Sequence, residues 1–296
     1  MSAEDLRWRR ELARRLTECA RAPARQTLGA PVSLGGKARR IGITGPPGAG
    51  KSSLIAMLAK QWTGMAHRVG VIAIDPTSPL SGGALLGDRI RMDEIAGNPH
   101  LFIRSLSSGS SYDGLCANIS SLLDVFEQAD FEYLLLETVG VGQVSYEARS
   151  LVDTFVLVLA PESGDTVQAM KAGILEVADI YVINKADLPG SARLAAELRS
   201  MAAWRAKNAA WAPPVLLAST VENRGASELA NAIEAHRHAA LTSERTQALA
   251  VARREYHLRS LLIRRIDEIL AGNRTDIQGA SMVGAMRLII DKLRDD

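Results

Sequence analysis

Seven short runs punctuate the middle of the chain: RIGIT (40–44), VGVIAI (69–74), LFIRS (101–105), YLLLE (133–137), TFVLVLA (154–160), IYVIN (180–184) and PVLLAS (214–219). Most are continuously apolar. A strand with one face in water alternates apolar and polar residues; a strand covered on both faces does not, and such strands belong to parallel sheets flanked by helices. The segments between the runs are mostly long enough for crossover helices. The pattern predicts an α/β fold, a doubly wound and mostly parallel sheet.

On either side of this region the pattern is helical. Trp8, Leu12, Leu16 and Cys19 recur at helical spacing within residues 3–21, with arginines on the other faces. Pro23 and LGAPVSLGGKA (28–38) then form a linker. From about residue 225 onward, Leu249, Ala252, Tyr256, Leu262, Ile266 and Ile269 mark one apolar stripe that ends at Gly272. Met282, Met286, Ile289 and Leu293 mark a second. Such a terminal pair packs either on its own domain or on a second subunit. The expected division is an N-terminal helical extension with its linker (1–38), a central α/β domain (39–240) and a C-terminal helical arm (241–296).

With 296 residues, 47% hydrophobic and 23% charged, the chain can bury the core of one large domain with helical extensions. Cys19 and Cys116 are the only cysteines and cannot form a disulfide framework. The start, MSAEDLRWRRELARR, is charged, and no apolar run approaches the ~18 residues of a membrane span. A soluble cytoplasmic protein with no membrane partner is expected. Residues 1–40 hold ten Lys and Arg against four Asp and Glu. That excess reads as a solvated helix face or a surface for an acidic partner. Without a run of aromatics to stack on bases, no nucleic-acid partner is expected.

Between the first run and the helical segment SSLIAMLAKQW lie Gly45, Pro46, Pro47, Gly48, Ala49, Gly50, Lys51 and Ser52, followed by Ser53. They fit G-x-x-x-x-G-K-[ST] in the strand-to-helix context that this pattern requires. A plain turn would also suit the glycines. In a phosphate cradle, glycine lets backbone N–H groups turn inward around phosphate oxygens. The helix N-terminus adds partial positive charge. Lys51 would reach the β- and γ-phosphates and the Ser52 hydroxyl would bind Mg²⁺.

Asn184-Lys185-Ala186-Asp187 stands at the end of a later run. Asp187 in this N-K-x-D pattern would accept from the N1–H and 2-amino groups of guanine. Adenine presents an acceptor at N1 and no 2-amino group, so the carboxylate would face a lone pair, a costly mismatch. Asn184 would tie the pattern back to the cradle, and the Lys185 stem would cover the base. Ser219-Thr220, after the last run, stands where a backbone N–H would meet guanine O6; the two also read as ordinary polar residues at a strand end.

LLLETVGVGQ (134–143) puts Glu137 at the end of a buried run and Gly140 three residues on. This is the arrangement of an acid that holds Mg²⁺, often through water, and a glycine whose N–H senses the γ-phosphate. Val141 stands where a water-positioning glutamine is common, and Gln143 follows two residues later. Slow intrinsic hydrolysis, completed by a partner, is the expectation. Asp75 and Asp88 are further candidate Mg²⁺ ligands, and Arg89 or Arg91 could meet phosphate; Asp88 also suits a helix N-cap or first turn. The candidate catalytic set is Lys51, Asp88, Glu137 and Gln143.

GITGPPGAGKSS, AIDPTSPLSGGALLGDRIRM, ETVGVGQ, SGDTVQAMKAGILEVADIYVINKAD and PPVLLAST together resemble the MeaB/ArgK group of P-loop GTPases. The resemblance is close over about residues 40–240. It implies a P-loop NTPase fold of the signal-recognition/MinD-like class and GTP/GDP and Mg²⁺ as cofactors. It also implies a chaperone role toward an adenosylcobalamin-dependent acyl-CoA mutase, typically methylmalonyl-CoA mutase, whose cofactor loading it gates. The family is usually homodimeric through its C-terminal helices. Its third switch corresponds to PESGDTVQAMK (161–171), which makes Asp165, Gln168 and Lys171 candidates for relaying nucleotide state to the partner. A metal-delivery GTPase and a transport-linked ATPase or kinase are the alternatives. The absence of a His-rich tract or C-x-x-C weighs against the first, and NKAD against the second. His236 and His238, two apart on a helix, point to different faces and make poor metal ligands.

Overall fold

Helix α1 (Ala3–Arg21) opens with a capping box: the Asp5 N–H donates to Ser2 Oγ at 3.1 Å, and the Ser2 N–H donates to Asp5 Oδ2 at 2.7 Å. The computed structural model describes residues 2–28, 38–75, 93–108, 115–138, 143–161, 173–206, 211–240 and 242–294. After α1 come α2 (Ala24–Leu28), β1 (Arg39–Thr44), α3 (Lys51–Gly64), β2 (Val69–Asp75), α4 (Asp93–Ala96) and β3 (Leu101–Ser107). Next are α5 (Ile119–Gln128), β4 (Tyr133–Glu137), α6 (Gln143–Leu151), β5 (Thr154–Leu159), α7 (Ile174–Val177) and β6 (Ile180–Ile183). The chain continues through α8 (Ser191–Ala206), β7 (Val215–Leu217), α9 (Ala226–Ala240), α10 (Ser243–Gly272), α11 (Arg274–Gly279) and α12 (Met282–Arg294).

All seven expected strands form one sheet, in the order β3-β2-β4-β1-β5-β6-β7. Every pairing is parallel. The sheet is covered on both faces, which is why its strands carry apolar residues without alternation. On one face Ile41, Ile43, Val156 and Val158 pack against Leu54, Leu58 and Trp62 of α3 and Leu229 and Ile233 of α9. On the other, Ile72, Leu134, Leu136 and Phe155 meet Leu12 and Leu16 of α1, Leu122 and Phe126 of α5 and Tyr256 of α10. A third cluster joins Leu157, Leu159, Tyr181 and Ile183 to α7 and α8. The fold is the doubly wound one that the apolar runs imply.

The differences lie at element ends. β2 and β3 run on to Asp75 and Ser107, because backbone pairing continues after the apolar residues stop. PVLLAS contributes only Val215–Leu217, the edge strand. Residues 24–28, at the start of the expected linker, are helical, and the Ala24 N–H is capped by Glu268 Oε1 at 2.8 Å. In α10 the inward apolar residue is Leu261, 5% exposed, and not Leu262, 42% exposed. Leu261 lies one turn beyond buried His257, whereas Leu262 stands about 100° further round the helix. Helix α10 packs on α6 and α2 of its own chain. Leu258, Leu270, Met282, Met286 and Ile290 of the C-terminal helices stay exposed. Among the described residues no helix is long and apolar enough to cross a membrane.

The N-terminal helix is part of the core. Arg9 donates to the carbonyls of Leu101 (2.7 Å), Asn98 (3.1 Å) and Ala96 (3.2 Å), closing the C-terminal end of α4. Leu16 is fully buried. Leu16→Ala should therefore lower the free energy of unfolding by about 2–4 kcal/mol in urea titrations. A loss under about 0.5 kcal/mol would mean that α1 is a solvated appendage.

Candidate functional site

Strand β1 lies between β4 and β5, so the turn that leaves it stands over the carboxyl ends of its neighbours. At Gly45 (φ +147°) a Cβ would sit 2.0 Å from the Val158 carbonyl oxygen of β5, so no side chain fits. Gly48 and Gly50 are left-handed, with φ of +76° and +84°. The Ala49 N–H closes a turn on the Pro46 carbonyl at 3.3 Å. Gly50 caps α3 without a side-chain bond, so the helix enters through Lys51 and Ser52 with its first N–H groups facing the turn. An inward-facing row of backbone donors at a helix N-terminus is an anion cradle.

Lys51 arches back over the loop, and its Nζ donates to the Gly45 carbonyl at 2.9 Å and the Pro46 carbonyl at 3.2 Å. Buried Ser52 donates from Oγ to Glu137 Oε1 at 2.7 Å. Glu137 is the last residue of β4, in register with Ile43 of β1 and Ala73 of β2. Asp75, two residues beyond Ala73, ends β2 and is also buried. The carboxyl ends of the neighbouring strands β4 and β2 thus each carry a buried carboxylate, the first of them bonded to the cradle hydroxyl. Among the described residues no group of three or more His, Cys, Asp or Glu side chains forms a metal site by itself.

The N-K-x-D segment is fastened to the cradle. Asn184 is fully buried, and its Nδ2 donates to the Ala49 carbonyl at 2.9 Å and the Gly50 carbonyl at 3.4 Å. A Cβ on Gly50 would lie 2.2 Å from that nitrogen. Lys185 takes a left-handed turn (φ +56°), and the Ala186 N–H donates to the Ala218 carbonyl at 2.9 Å. The Asp187 carboxylate is exposed and accepts from Ser219 Oγ at 2.5 Å. That bond holds its pKa below the usual carboxylate range and keeps it ionised.

Ser219 is therefore more than a polar strand end. Its N–H donates to the Arg224 carbonyl at 3.0 Å, and its Oγ accepts from the Glu222 N–H at 3.1 Å. With that N–H engaged, the backbone donor expected of the Ser219-Thr220 pair falls to Thr220. The orienting role of the Ser219 hydroxyl was not expected; its only trace in the sequence is a serine after the last strand. Asn184 Oδ1 and Thr138 Oγ1, at the carboxyl ends of β6 and β4, are buried without a hydrogen-bond partner among the described residues. Asp88, Arg89, Arg91, Gly140, Asp165, Gln168 and Lys171 lie outside the described residues, as does the side chain of Gln143 at the head of α6.

Residues 12–275 match the family described as methylmalonyl Co-A mutase-associated GTPase MeaB. A putative GTPase of Pyrococcus abyssi is 44% identical over 237 residues, covering 77% of this chain and 72% of that protein. The mitochondrial methylmalonic aciduria type A homolog of Mus musculus is 36% identical over 69% of this chain and 50% of its own length. The crystal structure of a LAO/AO transport system kinase superposes with a TM-score of 0.65 at 26% identity, over 99% of this chain and 97% of the other.

The two left-handed glycines separate backbone strain from collision. Gly48→Ala meets no atom within 4 Å and should cost about 1–2 kcal/mol of stability, the strain of a left-handed alanine. Gly50→Ala must also displace Asn184 and should cost about 1–3 kcal/mol more. Urea unfolding of protein purified without nucleotide measures both; equal losses would mean that Asn184 does not hold the loop.

Proposed function

The chain belongs to the MeaB family of P-loop GTPases, and from that premise we propose that it is a Mg²⁺-dependent guanine-nucleotide switch serving an adenosylcobalamin-dependent acyl-CoA mutase. The mutase is most simply methylmalonyl-CoA mutase, and the role is to gate cofactor loading or to protect the enzyme. The observation that carries this reading is the extent of the family match, which runs from α1 to α11 and takes in the helices on both sides of the nucleotide domain.

Gly45 to Ser53 would hold the phosphates. Lys51 would exchange the Gly45 and Pro46 carbonyls for β- and γ-phosphate oxygens, one set of oxygen acceptors for another of higher charge. The donors near Glu137 fit Mg²⁺: the Ser52 hydroxyl and the Glu137 carboxylate, already bonded to each other, and buried Asp75 at the end of the neighbouring strand, hard oxygens only. Buried Thr138 Oγ1, without a hydrogen-bond partner among the described residues, adds a polar atom at the same strand end. Mg²⁺ bound there would neutralise charge building on the β- and γ-phosphate oxygens. Ser52 and Glu137 would hold it, with Asp75 and Asp88 reaching it or its waters. Asp187, oriented by Ser219, would read the N1–H and 2-amino edge of guanine, with Lys185 over the base and Thr220 N–H on O6. The Ser219–Asp187 bond favours this over an ATP-using kinase.

No glutamine follows Gly140, so hydrolysis would be slow until a partner completes the site; Gln143 is the nearest candidate within the chain. Asp165, Gln168 and Lys171 would carry nucleotide state to that partner. The exposed apolar residues Leu258, Leu262, Met282, Met286 and Ile290 support homodimerisation through the C-terminal arm. We place the protein in the cytoplasm, without nucleic-acid or membrane partners.

Lys51→Ala should abolish GTP hydrolysis, and turnover above a tenth of the unsubstituted rate would refute the cradle assignment. In nucleotide competition assays, Asp187→Asn should erode the preference for GTP; unchanged selectivity would remove Asp187 from base reading. A cobalamin-dependent acyl-CoA mutase should raise the GTPase rate of the purified protein about ten-fold or more, of the order a completed site supplies. No effect from any such mutase would contradict the chaperone role.

A further inference from the structure

At the opposite end of the sheet from the cradle, one buried carboxylate joins four elements. Asp179 stands between α7 and β6. Its Oδ2 accepts from the Phe155 N–H of β5 at 2.9 Å. Arg149, in the last turn of α6, approaches Oδ2 at 3.3 Å. Arg245, in the first turn of α10, donates to Oδ1 at 3.0 Å. His236 of α9, fully buried, brings its Nε2 within 3.3 Å of Oδ1 and its Nδ1 within 2.9 Å of Thr154 Oγ1. The mechanism above uses none of these groups.

Two of the helices that meet there, α6 and α9, begin close in sequence to residues of the nucleotide side. Helix α6 begins six residues after Glu137, which bonds the cradle serine. Helix α9 begins just after Gly225, the close of the loop in which Ser219 holds Asp187, and it packs along α3, the cradle helix. Helix α7 leads directly into Asp179 and packs on α6. Helix α10 starts the C-terminal arm. A buried carboxylate bonded to two guanidinium groups from different elements resists separation, since withdrawing either breaks a charge-assisted contact to a desolvated carboxylate, even though the other still balances its charge. The elements must then shift together or break the cluster, and packed interfaces of this kind switch between arrangements and do not stretch.

We infer that the Asp179 cluster is the joint coupling nucleotide occupancy of the cradle to the position of the C-terminal arm, with Arg245 as the positioning residue on the arm. The inference rests on guanine-nucleotide binding at the cradle. Coupling is reciprocal: if nucleotide state biases the arm, loosening the arm at this joint must change the relative affinities for the two nucleotide states.

The test uses the full chain and two substitutions that both weaken arm anchoring. Arg245→Gln removes the arm's contact with Asp179. Arg264→Gln removes its contacts with Asn118 and the Ala22 carbonyl, far in sequence from α6, α7 and α9. Fluorescent GDP and a fluorescent non-hydrolysable GTP analogue are titrated against each protein. Arg245→Gln should change the ratio of the two affinities by about five-fold or more, the lower range of allosteric coupling. Arg264→Gln should leave it within about two-fold. Amide exchange over residues 243–256 should differ between the two nucleotide complexes of the unsubstituted protein, and Arg245→Gln should abolish that difference. An unchanged ratio in Arg245→Gln, or equal changes in both variants, would overturn the coupling while leaving nucleotide binding intact. If the unsubstituted protein bound neither nucleotide, both readings would fall.

Discussion

The parallel pairing of β1 between β4 and β5 is the constraint on which the rest of the site depends. It puts the turn after Thr44 at the carboxyl ends of the strands, where open α/β sheets leave their crevice. One neighbour delivers Glu137 to the cradle serine; the other presses its Val158 carbonyl against Gly45. That pressure is why the first residue of the cradle has no side chain. β6, next to β5, then brings Asn184 over the far side of the same loop. Sheet order, and not sequence proximity, assembles residues 45–52, 137 and 184–187.

Within that frame the polar groups are held before any ligand contact is considered. Asn184 clamps the loop through Ala49, and Ser219 clamps the carboxylate of Asp187. Preorganised donors and acceptors save the ordering cost that binding would otherwise carry. Lys51 and Ser52 differ. Their bonds run to Gly45, Pro46 and Glu137, and all of those partners are oxygen acceptors. In the proposed reading, the rigid part of the site meets the base and the part that would change partners meets phosphate.

Much of this was legible in the sequence because burial on both faces forces continuous apolar strands, and because the cradle and N-K-x-D patterns are local. Asn184 as the tie to the cradle was among the expectations and is seen as the bond to Ala49. What was not legible depends on tertiary placement. Asp75 and Ser107 extend their strands although their side chains carry no strand signal. Leu261 rather than Leu262 faces inward because the surfaces under α10 decide, not the spacing alone. Arg149, Asp179, His236 and Arg245 lie in separate elements, and no local spacing marks them as a cluster. The use of His236 as a buried hydrogen-bonding group had no signature in the sequence.

The central claim is that the crevice is built for a guanine nucleotide. Competition against fluorescent GDP on the unsubstituted protein, with Mg²⁺ present, tests it most directly. A base edge read by Asp187 and Thr220 predicts that GTP displaces the probe at concentrations about 100-fold or more below those ATP requires, the scale set by leaving paired polar groups unmatched. Displacement by ATP at comparable concentrations would contradict the account.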